Sequence, residues 1–314
     1  MSGPVVVTGA AGFVGRALVE RLRAEGREVR PVVRTESDGV REAIALGAIE
    51  QASPGQLAAL MVGVAAVVHL AARVHAIRDA GDERAFRGAN VDATKRVARA
   101  AVAAGVPRFV FASSVKVSGE ASPPGRPFLP DDAPGPQDAY GRSKRDAEVA
   151  IFEACRGSTT IPIVLRIPLV IGPGARGNVA RLVDAVASGR TLPFAAIDNR
   201  RSVVGLANLC DAIVAALDAV PAPAGVHFVA DAAPVSTPSL VRSIAGALGR
   251  PTPLSYLPVA LLKLGGWVIG RRGEIGRLAG SLEVDTSSFI AATGWRPAHT
   301  LDDELARVAA AYRR

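Results

Sequence analysis

A glycine-spaced turn near the first residue constrains the fold of this chain more than any other feature. An apolar run at residues 5–7 is followed by Thr-Gly-Ala-Ala-Gly-Phe-Val-Gly over residues 8–15, and a helical pattern begins there. Glycines at this spacing allow a tight turn, close approach of backbone to a pyrophosphate, and close packing of helix on strand. The free N–H groups that begin the helix favour phosphate oxygens. The segment therefore predicts a dinucleotide-binding site, with candidate contacts at Gly9, Gly12, Phe13, Val14 and Gly15.

The first half of the chain alternates short β-rich runs with helical runs. Strands are predicted at residues 4–8, 28–33, 48–51, 65–70, 108–112 and 162–166, and helices at 12–25, 40–46, 55–61, 85–104, 139–155 and 178–188. The strands are continuously apolar, which is typical of a parallel sheet covered on both faces. Strand–helix alternation favours right-handed βαβ units. We therefore expect an α/β fold with a doubly wound parallel sheet.

The organisation of the 314 residues changes near residue 170, after which the alternation weakens. We expect residues 1–170 to form a dinucleotide-binding domain and residues 171–314 a smaller substrate-binding domain. A segment near 203–222 is expected to return to the first domain. Six prolines and three glycines within residues 118–138 predict a long loop before the helix at 139–155.

Composition argues against several classes of function. The net charge is +8, but the basic residues are scattered and aromatic residues make up only 4%, so no nucleic-acid surface is predicted. An anionic small substrate accounts for such an excess. Two cysteines and four histidines form no ligand cluster or disulfide framework, so no metal site is predicted and a cytoplasmic location is expected. The apolar stretch 257–270 contains Lys263 and is too short to span a bilayer, which leaves a core helix or contact with a membrane surface.

A serine, a tyrosine and a lysine form the candidate catalytic set. Tyr140 and Lys144 are four residues apart, so a helix places both on one face. A cation about 4 Å from a phenol stabilises the phenolate by roughly three pK units, which suits Tyr140 to exchange a proton with an alcohol or a carbonyl. Lys144 is also suited to hold the ribose of a nicotinamide cofactor. Ser113 and Ser114 follow the predicted strand at 108–112, at the edge where doubly wound sheets bind ligands, and a serine there is suited to orient a substrate hydroxyl.

The end of the second strand bears on the choice of cofactor. An acidic residue there would bond the adenosine ribose, but the sequence reads Val32-Val33-Arg34. Arg34 is suited to pair with a 2′-phosphate, with help from Arg16. We therefore expect NADP, with NAD as the alternative.

These motifs, together with others along nearly the whole chain, resemble those of the extended short-chain dehydrogenase/reductases, in the nucleotide-sugar epimerase/dehydratase group. The further matching motifs are His69-Leu70-Ala71-Ala72, Asn90-Val91, Arg166-Ile167-Pro168, Gly172-Pro173-Gly174 and Gly294-Trp295-Arg296-Pro297. The resemblance implies a Rossmann-type domain followed by a nucleotide-sugar domain, and a homodimer formed near residues 85–104 and 139–155. It also implies that Ser114, rather than Ser113, is the catalytic serine. The further cofactor contacts that it implies are Leu70, Ala71, Ala72, Asn90 and Pro168.

One departure from the family's sequence pattern argues against a dehydration reaction. The 4,6-dehydratases carry Asp-Glu after the catalytic hydroxyl, whereas this chain has Val115-Lys116. Since no acid/base pair stands there to remove water, a dehydratase is not expected. We expect Lys116 either to point into the sugar pocket or to form a structural ion pair.

The segment from Ser113 to Glu120 is similar to that of bacterial surface-polysaccharide enzymes acting at C4 of UDP-N-acetyl-6-deoxyhexosamines. By this resemblance Asn178 contacts the diphosphate or uridine, and Leu192, Pro193 and Phe194 line the uracil. Arg201 and Arg277 are expected to hold the diphosphate, as paired guanidinium groups can.

Three functions follow as hypotheses. The first is reduction of a UDP-4-keto-6-deoxy sugar by NAD(P)H for surface polysaccharide synthesis. The second is a UDP-sugar 4-epimerase that retains NAD. The third is a cofactor-binding sensor or assembly subunit without turnover, against which the complete catalytic set argues.

Overall fold

The computed structural model describes residues 3–74, 82–123, 125–268, 270 and 272–312. Its main sheet has seven parallel strands, in the order β3-β2-β1-β4-β5-β6-β9. The strands of the main sheet are β1 (Val5–Thr8), β2 (Val29–Val33), β3 (Ile44–Ala45), β4 (Ala66–His69), β5 (Arg108–Ser114), β6 (Ile161–Ile167) and β9 (Gly225–Phe228). Two further strands, β7 (Leu169–Ile171) and β8 (Val203–Gly205), pair with each other.

Helices cover both faces of the main sheet. In the first half they are α1 (Phe13–Ala24), α2 (Pro54–Leu60), α3 (Glu83–Phe86), α4 (Ala93–Ala103) and α5 (Ala139–Cys155), with a π-helical turn at Arg87–Asp92. The second half contains α6 (Asn178–Ala187), α7 (Leu206–Asp218), α8 (Thr237–Leu248), α9 (Val259–Val268), α10 (Arg272–Ala279), α11 (Ser287–Thr293) and α12 (Leu301–Tyr312), of which α7 packs on the main sheet. One apolar cluster joins the sheet to α1 and α7, and another joins it to α2, α4 and α5. The predicted doubly wound α/β fold is therefore confirmed.

Two predicted elements in the first half are wrong. Residues 40–46 were expected to be helical, but Ile44–Ala45 forms the edge strand β3 beside β2. Residues 48–51 were expected to be a strand, but Ile49–Gln51 is a single 3₁₀ turn. The Leu46 N–H bonds the Val33 carbonyl at 3.0 Å, so pairing with the exposed edge of β2 overrides the helical pattern.

The second half packs partly on its own core and partly on the main sheet. The β7–β8 pair packs with α6, α8 and α12 around a separate apolar cluster. By contrast α7 packs against α1, and β9 pairs with β6 at the edge of the main sheet. The predicted division at residue 170 therefore stays a proposal, in which chain segments cross between the halves. Across the described residues, every helix falls short of the length and apolarity needed to cross a bilayer.

The predicted loop at 118–138 is fastened to the C-terminal half. The Phe128 N–H bonds the Glu283 carbonyl at 2.8 Å, and the Ser122 N–H bonds the Ser281 carbonyl at 3.0 Å. Because this loop joins β5 to α5, its attachment sets the C-terminal half beside the ends of both elements.

Candidate active site

The candidate site forms where the central parallel strands end. Strands β1, β4, β5 and β6 finish at Thr8, His69, Ser114 and Ile167, respectively. Because parallel strands present their carboxyl ends at one edge, the segments that follow them converge. The predicted residues Gly9, Leu70 and Pro168 directly follow three of these ends, and Ser114 pairs with Ile167 in the register of β5 and β6.

Close backbone contacts explain two of the three loop glycines. Gly9 has φ +69°, and a Cβ there would lie 2.7 Å from the backbone nitrogen of Ala71. A Cβ on Gly15 would lie 2.2 Å from the carbonyl oxygen of Gly9. Only glycine therefore lets the turn, the segment after β4 and helix α1 lie this close.

The N-terminus of α1 is suited to hold phosphate. Its N-cap is Gly12, which provides no capping side chain, and no acidic residue occupies the first turn. The first N–H groups of the helix, including those of Phe13 and Val14, have no partners within the helix itself. An uncapped, uncharged helix start behind a tight glycine turn fits a dinucleotide pyrophosphate. We expect Gly9, Gly12, Phe13, Val14 and Gly15 to hold it.

A buried histidine on β4 links β1 to α4. His69 Nδ1 lies 2.6 Å from Thr8 Oγ1, and its Nε2 lies 3.0 Å from Thr94 Oγ1. The Thr94 hydroxyl donates to the Asn90 carbonyl, so Nε2 carries the proton and Nδ1 accepts from Thr8. Burial, helped by the charge of Lys144, lowers the pKa of His69 to about 3. The imidazole is therefore neutral and serves as a structural link.

Asn90 connects the segment after β4 to the catalytic helix. It lies in the π-helical turn, and its Oδ1 accepts from the Arg73 N–H at 2.7 Å. Its Nδ2 donates to the Ser143 hydroxyl at 2.8 Å, and that hydroxyl donates to the Tyr140 carbonyl. A π-helical turn often marks a functional site, because it re-aims a side chain. The predicted cofactor contact at Asn90 stays a proposal.

Ser114 and Tyr140 lie near each other. The Ser114 side chain acts on the Tyr140 phenol in the direction that lowers its pKa. Helix α5 begins at Ala139, with Asp138 as its N-cap accepting from the Gly141 N–H at 2.6 Å. The cap fixes where the helix starts, and hence which way Tyr140 and Lys144 face.

The sequence predicted that Lys144 lowers the pKa of Tyr140, but the structure raises that pKa. Burial raises the pKa of the Tyr140 phenol to about 12, against the opposing effect of Ser114. Lys144 is itself only 2% exposed, and burial lowers its pKa to about 7, against the opposing charge of Glu148. A lysine that is only part-charged at neutral pH stabilises phenolate less than the full cation assumed from the sequence.

Lys116 forms a structural ion pair, which is one of the two roles expected for it. Its ammonium contacts the Asp138 carboxylate and lies 3.2 Å from a Glu120 oxygen. Although burial raises the pKa of Asp138, the hydrogen bonds from Lys116 and Gly141 outweigh that effect and lower it. The charged N-cap of the catalytic helix is thus retained at neutral pH, and a sugar contact by Lys116 stays a prediction.

A buried ion pair joins α5 to β6. Arg166 Nη2 lies 2.8 Å from Glu148 Oε2, and Arg166 Nε lies 3.2 Å from Oε1. The Ser113 hydroxyl donates to the same carboxylate. Because Glu148 is one turn after Lys144 on α5, this pair ties the catalytic helix to the ends of β5 and β6.

The loop after β2 contains an acid that sequence reasoning passed over. The Asp38 carboxylate accepts the Arg34 N–H at 3.1 Å and the Thr35 N–H at 3.0 Å. Hydrogen bonding by Thr35 leads the effects that lower the pKa of Asp38. The expected helper Arg16 donates to the carbonyls of Ala11, Asp38 and Gly39. Arg34 itself is exposed beside this loop.

Two of the predicted substrate residues lie together. Arg201 Nη1 donates to the Arg277 carbonyl at 2.6 Å and to the Gly280 carbonyl at 2.8 Å. Burial lowers the pKa of Arg201, and the charge of Arg277 contributes in the same direction. The charge of Arg277 also contributes to lowering the pKa of Asp138, so Arg277 lies on the side of the molecule where α5 begins.

The other predicted substrate residues lie in the second half. Asn178 begins α6, and its Oδ1 accepts from Arg181 at 2.7 Å. Leu192 forms an isolated bridge with Leu254, and Leu192 and Phe194 pack against the second-half core. Pro193 lies between them. Contacts from these residues to a uridine stay predictions.

Sequence reasoning missed the residues that hold the site in place. The missed residues are Thr8, Asp38, Thr94, Asp138, Ser143 and Glu148, and His69 was noted only as part of a motif. An acid just before a helix signals an N-cap, so Asp138 was identifiable. The others act through tertiary hydrogen bonds that leave no local pattern.

The chain is similar to known proteins over nearly its whole length. Residues 5–230 match the NAD dependent epimerase/dehydratase family. The chain is 35% identical over 319 residues to a UDP-glucose 4-epimerase of Vibrio cholerae, covering 99% of this chain and 96% of that protein. It is 28% identical to N-acetyl-alpha-D-glucosaminyl-diphospho-ditrans,octacis-undecaprenol 4-epimerase of Escherichia coli O157:H7, covering 85% and 79%. The solved structure of MoeE5 in complex with UDP-glucuronic acid and NAD is similar over 99% of both chains, with a TM-score of 0.79 and 27% identity.

Proposed function

The chain belongs to the NAD dependent epimerase/dehydratase family, and we propose that it carries out oxidation and reduction at C4 of a UDP-activated hexose or N-acetylhexosamine. The observation that carries this proposal is the proximity of Ser114 to Tyr140, with the buried Lys144 one turn further along α5. That arrangement moves a proton to or from a single hydroxyl. A nicotinamide cofactor, when bound, supplies hydride transfer.

The proton chemistry belongs to this chain's own residues. Ser114 orients the sugar hydroxyl, and Tyr140 Oη takes the sugar proton as its own phenol proton passes to neutral Lys144. Reduction of a carbonyl reverses both transfers. The paired Arg201 and Arg277 are suited to the substrate diphosphate.

We propose the 4-epimerase as the form of this reaction. The two curated relatives described above both carry that activity in their names, and one of them aligns with 99% of this chain. The absence of an acid/base pair at Val115 and Lys116 separates both candidate forms from a dehydratase.

The second candidate is reduction of a UDP-4-keto-6-deoxy-N-acetylhexosamine. It is favoured by Val117-Ser118-Gly119, where galactose-type epimerases usually carry a tyrosine before the glycine. Both candidates use the same three catalytic residues, so the fate of the sugar distinguishes them.

Product analysis by NMR tests the proposal. Purified protein is incubated with UDP-glucose and, separately, UDP-N-acetylglucosamine, with and without NAD. Formation of the galacto epimer without net change in the cofactor supports the epimerase. Oxidation of NAD(P)H with a UDP-4-keto-6-deoxy sugar, without epimerisation, supports the reductase.

Tyr140→Phe is the matched variant in both assays. We expect it to lose about 10²–10⁴-fold in kcat, because the phenyl ring neither accepts nor donates the proton. Cofactor affinity should stay near that of the parent. Unchanged turnover in this variant, or no reaction of the parent with either substrate class, contradicts the proposal.

Two residues after β2 bear on the choice of cofactor. The exposed guanidinium of Arg34 favours the 2′-phosphate of NADP, whereas the ionised Asp38 favours the 2′-hydroxyl of NAD.

A homodimer through α4 and α5 is proposed because these helices pack side by side and Val149 on α5 is exposed. Sedimentation equilibrium tests it.

A further inference from the structure

Helix α9 turns its large apolar side chains outward. Leu261, Leu264 and Trp267 are 52%, 56% and 64% exposed, respectively, whereas Leu262 is buried. At 100° per residue the three exposed side chains fall on one side of the helix, opposite Leu262. Tyr256, just before the helix, is 77% exposed. We call these four exposed residues the α9 apolar face.

The stretch of sequence that carries this face is basic up to Glu274. Residues 232–273 contain no aspartate or glutamate, and they carry five basic residues: Arg242, Arg250, Lys263, Arg271 and Arg272. Lys263 stands on α9 itself and is exposed. A basic segment around an apolar face matches the two attractions that hold interfacial helices on anionic lipid.

The chemistry of the face fits a bilayer interface better than a second copy of the chain. Tryptophan and tyrosine are enriched at the level of lipid headgroups, and here they stand at the two ends of the face, with leucines between them. A symmetric contact between two copies would bring two basic segments together, which is unfavourable.

The face is joined to the substrate side of the molecule. Helix α9 packs on α10, which carries Arg277. The carbonyl of Leu278 accepts from Asn199 and Thr237, and the carbonyl of Arg277 accepts from Arg201. The two helices are therefore held beside the residues proposed for the diphosphate.

We propose that the α9 apolar face docks on an anionic membrane surface. Leu261, Leu264 and Trp267 would enter the boundary between headgroups and acyl chains, and Lys263 would remain at the headgroups. The docking goes beyond the sugar chemistry and does not depend on it, because it concerns a surface outside the catalytic set.

Tryptophan fluorescence provides a direct test. The chain has two tryptophans, and Trp295 is buried at 7% exposure, so a shift on adding vesicles reports on Trp267. The full chain is titrated with vesicles of phosphatidylcholine containing about one third phosphatidylglycerol, and with pure phosphatidylcholine. We expect a blue shift and co-sedimentation with the anionic vesicles, and at least about tenfold weaker binding to the neutral ones.

The variant Leu261→Ser/Leu264→Ser keeps the fluorescent reporter and should bind at least about tenfold more weakly. Its matched control is Val62→Ser/Val220→Ser, which removes two exposed apolar side chains from other surfaces and should bind like the parent. Circular dichroism verifies folding of both. The proposal is overturned if the parent shows no shift with anionic vesicles, if both lipid compositions bind equally, or if the shift follows protein concentration rather than lipid, which indicates self-association.

Discussion

The Nζ atom of Lys144 lies 4.1 Å from the centroid of the Phe111 ring. This cation–π contact stabilises the ammonium, yet burial still lowers the pKa of Lys144 to about 7. With the pKa of Tyr140 raised to about 12, the first proton leaves the pair near pH 7. Above about pH 7 the amine of Lys144 is therefore largely neutral, while the phenol of Tyr140 keeps its proton.

We therefore expect opposite pH profiles for the two directions of the reaction. The kcat/KM for oxidation of the alcohol should rise with pH and level off above about pH 7, because the pair must lose a proton before it accepts one. The kcat/KM for reduction of the carbonyl should fall over the same range. Lys144→Met should remove the inflection near neutral pH, and an unchanged inflection in that variant contradicts the assignment.

His69 should make stability depend on pH. Its folded pKa of about 3 lies below the unfolded value of about 6.5, so the unfolded chain binds more protons between them. The stability is complete above about pH 6.5 and is lost as the pH falls toward 3. Urea unfolding at about pH 7 and pH 4.5 should show that the parent loses roughly 2–3 kcal/mol more than His69→Asn. Equal losses would contradict a neutral buried imidazole.

Gly15→Ala should destabilise the chain by roughly 1–3 kcal/mol and weaken dinucleotide binding. The added Cβ meets the carbonyl oxygen of Gly9 at 2.2 Å, and a backbone atom cannot rotate away. Gly246→Ala in α8 is the matched control, because its Cβ has no neighbour within 4 Å among the described residues. It should be neutral or stabilise by roughly 0.5–1 kcal/mol. Urea unfolding and cofactor titration measure both, and equal effects would refute the close contact.

The buried pair of Arg166 and Glu148 should show strong coupling. Arg166→Met leaves the carboxylate unpaired, which should cost roughly 3–5 kcal/mol of unfolding free energy. Adding Glu148→Leu should recover part of this loss, because no buried charge then remains. A double-mutant cycle by urea unfolding measures the coupling, and additive losses would show that the two side chains act independently.

Arg34→Ala should weaken NADP binding more than NAD binding, by about tenfold or more, since only NADP carries a 2′-phosphate. Arg41→Ala is the control, because Arg41 is exposed on the following segment. Titration calorimetry with both cofactors gives the ratio. Equal losses for NAD and NADP would reject a role of Arg34 at the 2′ position.

The fold was predictable because its signals are local. The apolar runs of β1, β4 and β5, together with the glycine turn, predict buried parallel strands, and α5 begins and ends where its pattern places it. The edge strand β3 was missed, because two residues paired with β2 leave no periodicity to detect.

The candidate site divides in the same way. Tyr140 and Lys144 were identified from their spacing, and Ser114 was chosen over Ser113 by the family resemblance. The proximity of Ser114 to Tyr140 follows from the strand end and the helix face. The predicted direction of the Tyr140 pKa shift was wrong, because the sequence shows the neighbouring cation but not the burial of both groups. The link through His69 depends on three separate elements and was visible only in the assembled fold.

The spacing of residues on α5 restricts where insertions and deletions can be tolerated during evolution. Its cap at Asp138, its catalytic pair and the anchor at Glu148 all lie within three turns. Each inserted or deleted residue inside that span would rotate the rest by about 100° and separate the proton-carrying groups from Ser114. The loop at 118–138 absorbs a change of length without such a rotation. Lineages that diverge in sugar preference should therefore accumulate length changes before Asp138 and none between Asp138 and Glu148.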